Sequence, residues 1–182
     1  MASITTSAKD IIVIDTSEAV GALSQLFRGF AGLSMSSVKT MTTNVSAQVI
    51  KNQADIRGLR IIDHGNLQGC EIGSDFVTTA NFTSFLPDLL TLKGCFCPYT
   101  GFAHFLNCLQ GQNTALMHEF AKWWNVPVYA GEWYTNALGL NMYAHPYKGL
   151  LTFKAIPDPF LGFQQWVRVD PSGTVTRNVT VP

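Results

Sequence analysis

The chain has 182 residues, enough for one domain with a substantial core and too few for two of ordinary size. Twelve basic and twelve acidic residues cancel, which removes the electrostatic basis for nucleic-acid binding or for a hold on a charged membrane surface. Only 13% of the residues are charged against 47% hydrophobic, a thin polar coat that points to a homo-oligomer or a protein partner without locating the surface.

No apolar run approaches the roughly 18–20 residues of a membrane span, and MASITTSAKD lacks the basic-then-apolar layout of a secretory signal. A soluble, cytoplasmic protein is expected, with no membrane partner. Cys70, Cys95, Cys97 and Cys108 are too few and too unevenly spaced for a disulfide scaffold. The CFC pair, with His104 and Cys108 as the next ligands, is a poor zinc pattern, so neither metal nor cofactor is expected.

In chain order, KDIIVID (9–15) is a continuous apolar run of the kind that forms strands buried on both faces. Thr16 or Ser17 then caps a helix on which Val20, Leu23, Phe27 and Phe30 recur at spacings of three and four. Residues 34–43, rich in Ser, Thr and Met, read as a connection; Val45, Val49 and Ile50 mark a short second helix before the strand GLRIIDHG (58–65). CEIGSD (70–75) reads as a short edge strand. Asn81 to Ser84 offer caps for a helix carrying Phe85, Leu86, Leu89, Leu90 and Leu92, with Pro87 in its first turn.

GCFCPYTG (94–101) is loop-like, and FAHFLNC (102–108) is a third apolar strand. The helix TALMHEFAKWW (114–124) places Leu116, Phe120 and Trp124 at four-residue steps, and VPVYAG (126–131) is the next strand. Beyond Glu132 come a long loop, NALGLNMYAHPYKG, and the strands GLLTFKAI (149–156) and QQWVRVD (164–170). The turn DPSG (170–173) joins the last of these to its hairpin partner TVTRNVTV (174–181). This order predicts one α/β domain over 1–182, a three-layer sandwich with a mostly parallel central sheet and helices on both faces, plus a C-terminal β-hairpin. Its core spans about 9–131, and the loop and hairpin extension about 132–182.

In an open parallel sheet, chemistry gathers outside the carboxyl ends of the strands. Two strands end in reactive residues: IID runs into His64-Gly65, and HFLN into Cys108 with Gly111 just beyond. Cys108 also precedes the helix that starts near Thr114, whose dipole would favour a thiolate, and a neutral His64 imidazole would take the thiol proton. Amides around Gly65 and Cys108 would bind the oxyanion of an attacked carbonyl. Cys95 and Cys97 compete for the nucleophile role, and His104, four residues before Cys108, is a second candidate base. His118 and His145 have no such company. Glu132 and Trp133, after VPVYAG, are candidates for substrate binding, a carboxylate there favouring a basic side chain; Asp63 or Asp75 is the alternative.

DHGNLQGCEIG resembles the His-Gly segment of the caspase-like cysteine peptidases, the superfamily of caspases, gingipains, legumains, separases and CHAT domains. FLNCLQGQNTALMHEFAKWWNVPVYAG resembles the segment that carries their nucleophile, helix and next strand. The resemblance covers roughly residues 9 to 131. It implies a caspase-like fold with His64 as general base, Cys108 as nucleophile and Gly65 as an oxyanion donor, acting on a peptide or protein substrate through an acyl-enzyme. The family's cysteine commonly sits beside small residues, whereas here Asn107 precedes it and Leu109 follows. The alternative is a catalytically silent caspase-like interaction module that docks a protein through Phe153, Phe160, Phe163 and Trp166. A flavodoxin-like ligand-binding domain is disfavoured, because no glycine-rich phosphate loop follows KDIIVID.

Overall fold

In the computed structural model, residues 7–15, 32–132, 134–135, 141–142 and 166–182 are described. The first strand, β1 (Ser7–Asp15), is flanked by two parallel neighbours, β2 (Leu33–Met35) and β3 (Ala54–Ile62). Beyond β3 the sheet continues, still parallel, through β6 (Phe102–Phe105) and β7 (Val128–Gly131). It ends in two antiparallel additions, β10 (Trp166–Val169) against β7 and β11 (Val175–Val179) against β10. The spatial order β11-β10-β7-β6-β3-β1-β2 therefore reverses its direction of growth between β1 and β3, and in open parallel sheets ligands bind beside such a reversal, outside the carboxyl ends of the strands.

The segment from residue 34 to 43 is no connection. It contains β2 and the start of α1 (Val38–Asn52), and its Ser and Thr content is the cap: Ser37 Oγ accepts the Thr40 N–H at 3.1 Å while Thr40 Oγ1 accepts the Ser37 N–H at 2.9 Å. Asp75 Oδ2 takes a further first-turn donor, the Val38 N–H, at 2.8 Å. Val38, Met41 and Val45 are thereby fixed on the buried side. Ser37→Ala is expected to lower unfolding stability by about 1 kcal/mol in denaturant melts, the usual worth of an N-cap.

The edge strand expected at CEIGSD is instead one arm of a separate antiparallel hairpin, β4 (Gly69–Ile72) with β5 (Asp75–Thr78). Its turn docks on the entry to α1, where the Ser74 N–H meets the Ser36 carbonyl at 2.9 Å, so it is drawn off the main sheet. A second small pair joins β8 (Tyr134–Thr135) to β9 (Asn141–Met142).

The next helix, α2 (Phe82–Leu89), begins early enough that Pro87 falls inside it and not in its first turn. The Pro87 ring removes the N–H that would otherwise meet the carbonyl of Thr83, and Thr83 is an exposed residue. In α3 (Thr114–Trp124) the Phe120 ring meets Phe105 of β6 at 4.7 Å, Phe82 of α2 at 4.9 Å and Trp124 at 5.0 Å. Trp124 Nε1 donates to the Leu89 carbonyl at 2.9 Å, so the aromatic cluster is buried with its polar atom satisfied.

All three described helices pack in the core that includes Ile11, Val13, Leu59, Ile61, Phe105 and Val128. A smaller cluster is formed by Ile14, Ile62, Leu106 and Trp166. The helix expected on Val20, Leu23, Phe27 and Phe30 lies outside the described residues, as do GLLTFKAI, His145 and most of the long loop. The C-terminal hairpin is present, its turn held by His118 Nε2, which lies 3.3 Å from the Pro171 oxygen. Trp166 is 4% exposed and edge-on to His104 at 4.2 Å, so it is no part of an exposed aromatic tail; Phe153, Phe160 and Phe163 fall outside the described residues. Among the described residues no helix is long and apolar enough to cross a membrane.

Candidate active site

β3 and β6 are neighbours, with Ile61 opposite Phe105, and the ladder runs one bond further where the Leu106 N–H reaches the Ile61 oxygen at 2.8 Å. The two strand ends therefore emerge side by side. One continues as Asp63-His64-Gly65 and the other as Asn107-Cys108.

Asn107 joins them. Its side chain is fully buried, and Nδ2 donates to the His64 carbonyl at 2.6 Å and to the Glu71 carbonyl at 3.2 Å. Two carbonyl partners settle which way the amide faces. Gly65 completes the contact: a Cβ there would stand 2.9 Å from Asn107 Cβ and 3.0 Å from the Cys108 carbonyl oxygen. The main chain of Cys108 thus lies against Gly65 at a separation that any larger residue would disturb. Gly65→Ala is expected to force the two strand ends apart, costing about 1–3 kcal/mol by denaturant unfolding and depressing Cys108 reactivity with it.

Gly65 also faces Cys70 of β4, and the flanking residues make the hydrogen bonds, Asn66 N–H to the Gly69 oxygen and Glu71 N–H to the His64 oxygen, both at 2.9 Å. In such a pair the central residue's own N–H and C=O point away from the partner strand. The Gly65 amide is thereby turned outward from β4, as an oxyanion donor must be.

Past Cys108 the chain turns sharply. Leu109 is left-handed, with φ 59° and ψ 4°, a conformation that costs an L-residue roughly 1–2 kcal/mol and is held here by what surrounds it. A short 3₁₀ turn, Gln110–Gln112, follows, and Gln112 Nε2 donates to the Glu132 carbonyl at 2.6 Å. Asn113 works in two directions: Oδ1 caps α3 through the Leu116 N–H at 3.1 Å, and Nδ2 holds the Leu67 carbonyl at 3.2 Å. The turn carrying Cys108 is so tied to the end of β7 and to the His64 loop. Because this turn separates Cys108 from Thr114, α3 does not start directly behind the sulfur, and its dipole, which falls off within a turn, contributes less than the sequence suggests.

The other thiols are disfavoured as nucleophiles. Burial pushes the fully buried Cys70 far up, and burial together with nearby Asp55 raises Cys95 and Cys97. Cys108 is half-buried. His104 lies within β6 against Trp166, whereas Cys108 sits in a turn beyond that strand, so a shared strand face does not link them. No family model, no curated protein and no solved structure matches this chain.

The side chains expected to select a substrate are engaged within the protein. The Glu132 carboxylate pairs with Arg177 of β11, and Asp75 caps α1. Asp63 Oδ1 accepts the His64 N–H and Oδ2 the Gly73 N–H, each at 2.8 Å, and burial pushes its carboxyl up to about 6. Trp133 lies outside the described residues. Among the described residues no group of three or more His, Cys, Asp and Glu side chains is arranged to hold a metal ion.

Proposed function

We propose that this chain is a cysteine-dependent hydrolase, a peptidase of caspase-like type, that forms an acyl-enzyme on Cys108 with the help of His64. The observation that supports this most is the Asn107 clamp, whose 2.6 Å bond to the His64 carbonyl sets the histidine's strand end beside the residue that precedes the cysteine. His64 takes the Sγ proton, and the thiolate adds to the carbonyl carbon of a peptide or protein substrate. The Gly65 N–H meets the oxyanion. Collapse expels the amine, which leaves with the proton from the imidazolium. A water deprotonated by His64 then hydrolyses the thioester and restores the thiol.

The test is competitive labelling with a limiting amount of an electrophilic peptide probe, followed by peptide mapping. Cys108 is expected to carry the label ahead of Cys95 and Cys97. Label that is spread evenly over the three, or absent from Cys108, overturns the assignment.

A further inference from the structure

Asp63 stands immediately before the candidate base, and its carboxylate spans two parts of the chain. Oδ1 receives the backbone N–H of His64, and Oδ2 the backbone N–H of Gly73 in the β4–β5 turn, both at 2.8 Å. That turn is itself anchored, since Ser74 Oγ and N–H both reach the Ser36 carbonyl beside the α1 cap. Both oxygens are thus engaged by donors fixed in the fold. A carboxylate accepts at both oxygens, whereas a carboxylic acid presents one of them as an O–H donor, which cannot accept from an amide in the same geometry.

We propose that Asp63 is a positioning residue for His64: ionised, it grips the His64 and Gly73 amides together, and protonation lets one of them go. The inference deepens the hydrolase reading and rests on it for any effect on rate, but the grip itself is measurable without activity.

The setting makes this carboxyl responsive. Burial raises it to about 6 from the usual 3.8, the two amides oppose that rise, and Asp15 at the end of β1 and Glu71 on β4 add to it. The Cys70 thiol on β4 also feels the Asp63 charge. The folded-state value lies above the unfolded one, so the associated stability is fully present below about pH 4 and is lost as pH rises through about 6. Ordering of His64 follows the opposite course, because the grip needs the ionised form.

Proton–nitrogen correlation spectra recorded from about pH 4 to 8 test this. In the wild type the Gly73 amide is expected to move with a midpoint near 6, and not to do so in Asp63→Asn. In His64→Ala the amide of residue 64 is expected to titrate with that of Gly73 still, since the donors are backbone groups. Acylation of Cys108 is expected to be faster in the wild type than in Asp63→Asn above the midpoint, with the two rates converging below it. A flat Gly73 amide in the wild type, unequal midpoints in His64→Ala, or a Gly73 titration that survives Asp63→Asn overturns the proposal. Should Asp63→Asn not fold, the wild-type and His64→Ala titrations decide. An inactive protein whose amides titrate together sinks the hydrolase and leaves the grip; an active one with flat amides sinks the grip alone.

Discussion

Cys108→Ala is expected to abolish both acylation by an electrophilic substrate and its turnover, while the protein keeps its circular dichroism spectrum. In the proposed mechanism the sulfur forms the covalent bond, so no neighbour substitutes for it. His64→Ala is expected to behave differently, with acylation slowed by about a hundred- to ten-thousandfold and not eliminated, the usual worth of a general base. Cys95→Ala and Cys97→Ala are expected to leave the rate unchanged, since burial disfavours both thiolates. Rates measured by single-turnover acylation separate these outcomes. Turnover persisting in Cys108→Ala means that the chemistry lies elsewhere.

Asn107→Ala carries the second large effect. It removes a fully buried amide whose nitrogen joins the His64 and Glu71 carbonyls, and each such hydrogen bond is worth about 0.5–1.5 kcal/mol net. A stability loss of about 1–3 kcal/mol in chemical denaturation is expected. The kinetic loss is expected to be on the order of a hundredfold in acylation, because a displacement of about 1 Å between reacting groups is enough to produce it. Asn107→Asp is expected to be at least as damaging, since it turns an acceptor toward two carbonyl oxygens. If Asn107→Ala acylates at the wild-type rate, the two strand ends do not depend on the clamp for their alignment.

The strands were legible because their signal is local. KDIIVID, LRII, FAHF and VPVYAG are apolar runs, and each forms part of the sheet. The start of α1 was not legible, because a cap built from Ser37 and Thr40 has the composition of a loop and its third acceptor, Asp75, comes from a distant hairpin. His64 and Cys108 stood out as reactive residues at strand ends. What brings their segments together did not stand out. Asn107 acts on a carbonyl 43 residues away and Asn113 on one 46 residues away, and a backbone acceptor leaves no mark in the sequence. Asn107 was visible only as a residue larger than the family resemblance favours beside the cysteine. Leu109 gave no warning of its left-handed backbone, since leucine is a residue that local preference would steer elsewhere.

Among the described residues, the two margins of the sheet bear on how the protein behaves at high concentration. One margin is β2, only three residues long, and the other is β11, where the pairing with β10 shifts by one residue beside Asn178, whose φ is 59°. A second molecule adding its own strand needs a long, regular row of unpaired N–H and C=O groups, and a three-residue strand or a bulged one supplies neither. Edge addition is therefore disfavoured along β11 and along β2 itself, whereas residues 7–12 of β1 extend past β2 with no described neighbour on that side, so what protection this sparsely charged chain has at its margins comes from backbone shape more than from charge.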